Sequence, residues 1–182
     1  MHFARLDGIV WRELPMPDKE TIKRAQADKR AGKSASTQAG EFVREEIHHV
    51  REGKHGARSA KQAIAIGLSK ARRAGVKLPP PKKGRVSTRA RKQAARDTAK
   101  GKAGAKRAPS RRRSTAVRRA LKREGHNATT RRALAKQAHV SARRRPASER
   151  SAAARKASRT KGPRERSAAA RKAARTRARH RR

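Results

Sequence analysis

The chain has 182 residues, 55 of them Lys or Arg against 13 Asp or Glu, for a formal charge of +42. Hydrophobic residues make up only 33%, much of it Ala, with two Phe, one Trp and no Tyr, so most of the chain is expected to lack the apolar surface that offsets ordering entropy. The absence of Cys excludes a disulfide framework and thiolate chemistry and fits a reducing compartment, and no run approaches the roughly 18 apolar residues of a membrane span.

The charge is uneven. Residues 1–52 carry 10 basic and 9 acidic residues, whereas residues 53–182 carry 45 basic residues and 4 acidic ones, Asp97, Glu124, Glu149 and Glu165. A near-neutral head thus precedes a polycationic body, whose field attracts polyanions and resists its own compaction. The N-terminus has Asp7 and Glu13 where a secretory signal needs an apolar core, so a cytoplasmic location, on the nucleoid, is expected.

In chain order, residues 1–16 hold the single Trp, Trp11, and read as a loose extension. Pro17 and Asp18 suit the first turn of a short helix through Arg30. Gly32 to Ser36 is a linker leading to a cap at Thr37. An α-helical hairpin then spans 37–75, within a head covering 17–78. Phe42, Val43, Ile47 and Val50 contain the i, i+4, i+7 spacing of an inward stripe. Gly53 stops that helix, and Gly53-Lys54-His55-Gly56 makes the turn. Ser59 with Gln62 fits a capping box. Ile64, Leu68 and Ala71 repeat the stripe, Gly75 ends the second helix, and Pro79-Pro80-Pro81 forbids continuation. The expected head core is Phe42, Val43, Ile47, Val50, Ile64 and Leu68.

The run from Ser36-Thr-Gln-Ala-Gly-Glu-Phe-Val-Arg-Glu-Glu through Arg51-Glu-Gly-Lys-His-Gly to Lys77-Leu-Pro resembles a family of small basic bacterial proteins. That family is known as a domain of unknown function and is sometimes labelled plasmid-stabilisation or DNA-binding. The resemblance covers about residues 17–84 and brings no catalytic residues with it. It implies a start near Met16, which would leave residues 1–15 outside the family's pattern.

Residues 79–113 are rich in Pro, Gly and Lys and read as a tether. A weak helical pair is expected in 114–145, with Val117, Ala120 and Leu121 on one face and Ala133, Leu134 and Ala138 on the other, ordering only on a partner. In residues 146–182 the stretch Glu149-Arg-Ser-Ala-Ala-Ala-Arg-Lys-Ala-Ser-Arg-Thr returns as Glu165-Arg-Ser-Ala-Ala-Ala-Arg-Lys-Ala-Ala-Arg-Thr. This tail resembles the Ala- and basic-rich tails of linker histones. The fold class expected is therefore mainly α: a short helical hairpin head followed by a largely disordered polycationic tail with nascent helices.

The function class that follows is binding of nucleic acid without base readout, acting by phosphate neutralisation and compaction. Duplex DNA is favoured and RNA possible, while stacking on single strands is disfavoured because residues 53–182 contain no Phe, Tyr or Trp. Lys61, Lys70, Arg72 and Arg73 are expected to orient the head on phosphates. Arg111, Arg112, Arg113, Arg143, Arg144, Arg145, Arg171, Lys172, Arg175, Arg177, Arg179, Arg181 and Arg182 are expected to supply most of the affinity. A helix-turn-helix reading fits poorly, since the Gly-Lys-His-Gly turn and the lack of a third core helix depart from that motif. Alternatives from other classes are an RNA- or ribosome-associated protein and an adaptor whose head binds a protein.

A homodimer through Phe42, Ile47, Ile64 and Leu68 is open, as is a monomeric hairpin. His48, His49 and His55 with Glu45 and Glu52 lack a zinc-motif spacing and read as surface histidines. Glu45 and Glu46 are expected to face solvent or the basic residues of the second helix. No catalytic residue, metal or cofactor is expected, and no membrane.

Overall fold

Three of the chain's helices end in the same way. Helices α1 (Lys19–Arg30), α2 (Ala35–Arg51) and α3 (Ala60–Arg73) are each followed by one further residue and then a glycine with positive φ. At α2 the N–H of Lys54 reaches back to the carbonyl of His49 at 3.0 Å, and at α3 that of Val76 reaches Ala71 at 3.1 Å. These are Schellman closures, which need the left-handed backbone that Gly53 (φ +75°) and Gly75 (φ +89°) supply without a Cβ penalty. The stops expected from the sequence are therefore the stops observed. The start of α2 is not: the cap is Ser34 rather than Thr37, its hydroxyl accepting from the Thr37 N–H at 3.4 Å. At α3 the Ser59 hydroxyl takes the Gln62 N–H at 3.2 Å, and the Gln62 amide oxygen accepts from Arg58, one residue before the cap, at 2.8 Å.

The computed structural model describes residues 17–104, 110–160 and 162–179, and every long element in them is helical. After α3 come α4 (Thr88–Ala103), α5 (Arg111–Lys122), a 3₁₀ turn at Asn127–Thr129, α6 (Arg131–Arg143), α7 (Ala147–Thr160) and α8 (Pro163–Arg179). Residues 1–16, including Trp11, lie outside the described residues, as do 105–109 and 180–182. The chain divides into two units, Met1–Ala135 and Lys136–Arg182.

In the first unit α3 is the central element, packed against α2, α4, α5 and the 3₁₀ turn. Its approach to α2 is close enough that a Cβ on Gly67 would stand 2.6 Å from Val43 Cα. Phe42, Ala39, Ala25, Ala71 and Val76 form one apolar cluster, with Ile22, Leu68 and Leu78 against it. Phe42 is thus enclosed by helices of its own chain. Val50 with Ala57 and Ala63 forms a second cluster, and Ile66 with Leu121 and Val117 a third. Of the expected core, Phe42 and Val50 are buried, while Val43, Ile47, Ile64 and Leu68 are half-buried. Ile66 occupies the fully buried position that the stripe gave to Ile64.

Two segments differ from expectation here. Helix α4 stands in the presumed tether, held by Ala94 and Asp97 against α3. The Ser69 hydroxyl donates to Asp97 Oδ2, and Gln93 donates to Asp97 Oδ1 at 3.1 Å. Helix α5 is docked rather than nascent. Leu121 is 1% exposed, a burial worth about 1.5–3 kcal/mol, and backbone bonds from Gly56 to Leu121 (2.8 Å) and Ala57 to Gly125 (3.0 Å) fasten its end.

The largest correction concerns the fold class. The polycationic tail expected to be largely disordered instead forms the four helices α5 to α8 among the described residues. Burial does not explain this, since α6, α7 and α8 contain no buried residue. Local terms do. Ala, Arg and Lys are among the strongest helix formers. Glu149 and Glu165 lie in the first turns of α7 and α8, and Arg159, Arg177 and Arg179 in the last turns, which matches charge to the helix dipole at both ends. Pro163 opens α8 where a missing N–H costs nothing. Thr130 caps α6 by accepting the Ala133 N–H at 3.2 Å, and Arg150 donates to the Arg145 carbonyl beyond its C-terminus at 3.1 Å. The repeat is one helix per copy.

Candidate functional site

Helix α2 places Glu45, Glu46 and His49 within one turn, so all three project on one side. The Schellman turn at Gly53 then brings the chain back, and His55 returns beneath Glu46. Across from them stands Lys70 of α3, 1% exposed. Its ammonium lies 3.0 Å from Glu45 Oε1 and 2.8 Å from Glu46 Oε2. Two buried carboxylates on one buried cation leave one negative charge uncompensated, an arrangement that is costly in a low-dielectric interior.

The histidines answer part of that charge. His55 Nδ1 lies 3.0 Å from the Gly56 carbonyl, which only accepts, so Nδ1 carries a proton. Its Nε2 faces Glu46 Oε1 at 3.1 Å. Burial pulls the imidazole down, but the Glu46 carboxylate and the Gly56 carbonyl outweigh it and hold His55 above its usual value. Burial pushes Glu46 up, and His55 and Lys70 outweigh that in turn, leaving its carboxyl below the ordinary range. These charges are within ion-pair distance, yet neither Glu46 oxygen nor His55 Nε2 has a partner at hydrogen-bond angles. The short distances give attraction, and the poor angles leave the site incompletely satisfied.

His49 lies between the buried pair and the surface. Its Nε2 is 3.3 Å from Asp18 Oδ2, its Nδ1 is 4.0 Å from Glu45 Oε1, and the Asp18 N–H donates to Glu45 Oε2 at 3.2 Å. A cleft of about 240 Å³ lined by Asp18, Thr21, Arg44, Glu45 and His49 among others opens this side to solvent. The expectation of surface histidines therefore holds for His48 alone of the three, His49 and His55 being buried. Glu45 and Glu46 do face a basic residue of the second hairpin helix, from inside.

The cations proposed for phosphate contact separate into two groups. Lys61 is exposed on the first turn of α3. Lys70 is enclosed, its charge held by Glu45 and Glu46, which leaves a phosphate no access. Arg72 is 7% exposed, reaching the carbonyls of Leu68 and Pro79 at 3.4 Å. Arg73 is half-buried with its Nε 4.0 Å from Asp97 Oδ1. Burial lowers both guanidiniums, with Asp97 opposing it. By contrast Arg111, Arg112, Arg143, Arg144, Arg145, Arg171, Lys172, Arg175, Arg177 and Arg179 are exposed on or beside α5, α6 and α8. Arg113 is described only as helical backbone, and Arg181 and Arg182 lie outside the described residues. Arg89, Arg91, Lys92 and Arg96 of α4 add an exposed basic face that sequence reasoning missed, because the segment read as a tether. Among the described residues no helix is long and apolar enough to cross a membrane.

Residues 26–83 match the model of a family of unknown function (DUF6496). The match takes in α2, α3 and the buried Glu45, Glu46, His49, His55 and Lys70, leaves out the exposed Asp18, and stops before α4. No curated protein and no solved structure matches the chain.

Proposed function

We propose that the protein binds nucleic acid without reading its sequence, packing duplex DNA in a nucleoid-like manner through its exposed basic helices. The observation that supports this reading is α8. Its 17 residues span about 25 Å at 1.5 Å each. They present Arg164, Arg166, Arg171, Lys172, Arg175, Arg177 and Arg179 to solvent against a single Glu165. A helix already formed does not pay backbone ordering on binding, in contrast to a disordered tail. It offers forked guanidiniums that suit phosphate oxygens. The absence of Phe, Tyr and Trp from 53–182 favours duplex over single strands.

The test is binding of the full chain to duplex DNA and to structured RNA of equal charge across a salt series. The reading expects duplex preference with a log-affinity slope of about −0.9 per phosphate contacted. A preference for RNA would move the protein to the ribosome- or RNA-associated class, and weak salt dependence on both would end the phosphate reading.

A further inference from the structure

We propose that Glu46, His49 and His55 form a site for one divalent transition-metal ion, zinc being the natural occupant, which ties α2 to the turn after it. Their ligand atoms lie within 4.8 Å of one another, and all three residues are buried. Two imidazoles and a carboxylate are a zinc donor set with one position left open, and two imidazoles disfavour the hard cations magnesium and calcium.

The independent observation is the state of the ligand atoms themselves. Glu46 Oε1 and Oε2 and His55 Nε2 are buried without a hydrogen-bond partner. With Nδ1–H given to the Gly56 carbonyl, Nε2 is the ring nitrogen left to face Glu46 Oε1, 3.1 Å away. A metal ion held by both atoms would take the place of the imidazolium proton between them. In tetrahedral zinc, bonds of about 2.0–2.1 Å set neighbouring ligands about 3.3 Å apart, close to the 3.1 Å between His55 Nε2 and Glu46 Oε1.

The surroundings match what metal sites add around their ligands. The Gly56 carbonyl fixes the His55 tautomer. Asp18 lies against His49 Nε2, and the Lys70 ammonium lies 2.8 Å from Glu46 Oε2. Asp18, Glu45 and His49 form an overlapping second set within 4.8 Å on the cleft side, which supplies an entry path. The chain's charge of +42 repels loose divalent cations, so saturable uptake would report ligation.

The experiment strips the full chain with a chelator and titrates it with Co²⁺ and then Zn²⁺. Expected are one ion per chain, the visible absorption of four-coordinate Co²⁺, its loss on Zn²⁺ addition, and a higher melting temperature with zinc. His55→Gln should abolish the Co²⁺ spectrum and Asp18→Asn should weaken binding about 10–100-fold, while His48→Gln, at the exposed neighbour, should change nothing. Should His55→Gln fail to fold, His55→Cys provides the second readout, a sulfur-to-cobalt charge-transfer band. No saturable binding, an octahedral Co²⁺ spectrum, or equal uptake by His55→Gln would each overturn the proposal.

Discussion

Helices α3 and α8 are built from much the same residues and meet opposite fates. The end of α3 reads Lys70-Ala-Arg-Arg and the middle of α8 reads Arg171-Lys-Ala-Ala-Arg. In α3 nine residues are buried, Lys70 and Arg72 among them, and in α8 none is. Local composition therefore does not decide whether a basic helix is core or surface. What decides it is whether acids from elsewhere in the chain meet it: Glu45 and Glu46 reach Lys70, and Asp97 reaches Ser69 and Arg73. Ile66 and Leu68 then supply the apolar contacts that accompany those pairs. Helix α8 has no such acids and stays a helix on propensity and end charges alone.

Breaking this contrast at its strongest point means removing Lys70. Lys70→Ala would strand two buried carboxylates and should cost about 3–5 kcal/mol in denaturant unfolding, whereas Arg175→Ala in α8 should change stability by no more than about 0.5 kcal/mol. Equal effects at the two sites would mean that α3's cation is not held as described. Next in size is Leu121→Ala, which opens a cavity beside Ile66 and should cost about 2–5 kcal/mol. Val140→Ala is the counterpart, since Val140 is 39% exposed, and its effect should be near zero in the same assay.

A third variant sharpens the comparison from the ligand's side. Replacing Arg171, Lys172, Arg175, Arg177 and Arg179 with Gln should leave the unfolding midpoint of the first unit in place. It should flatten the salt slope of DNA binding by up to about 4.5, at about 0.9 per contact. Lys61→Gln, the one exposed member of the α3 set, should flatten it by less than about 1. A stability loss from the α8 variant would show that those cations are structural.

How much of this was legible follows the range of the interactions. The hairpin was readable because its signals are local: Gly53 and Gly75 one residue past their caps, Ser59 and Gln62 three apart, Phe42 and Val50 on one stripe. The buried cluster was not, because Lys70 and Glu45 are 25 residues apart and Lys70 looks like any other cation in a chain with 55. The signal that was available is scarcity. Residues 53–182 hold four acids, and three have a visible place: Asp97 pins α4 to α3, while Glu149 and Glu165 open α7 and α8. Net charge taken over the whole body averaged those positions away, and with them the evidence that the tail's expected nascent helices are formed without a partner.

The smallest expected effect tests that last point. Ala169 lies within α8 and within the second copy of the repeat and is exposed, so burial does not mask a change in helix propensity. Ala169→Gly should destabilise this helix by about 1 kcal/mol, read as a partial loss of far-ultraviolet helical signal with the cooperative unfolding of the first unit unchanged. If the formed helix is what binds phosphate, the same variant should lower DNA affinity by up to about fivefold, the equivalent of that 1 kcal/mol, while leaving the salt slope as it was, because no cation has been removed. An unchanged affinity together with reduced helicity would show that α8 binds through its charges in any conformation. Its helical order would then be a property of the free chain with no part in recognition.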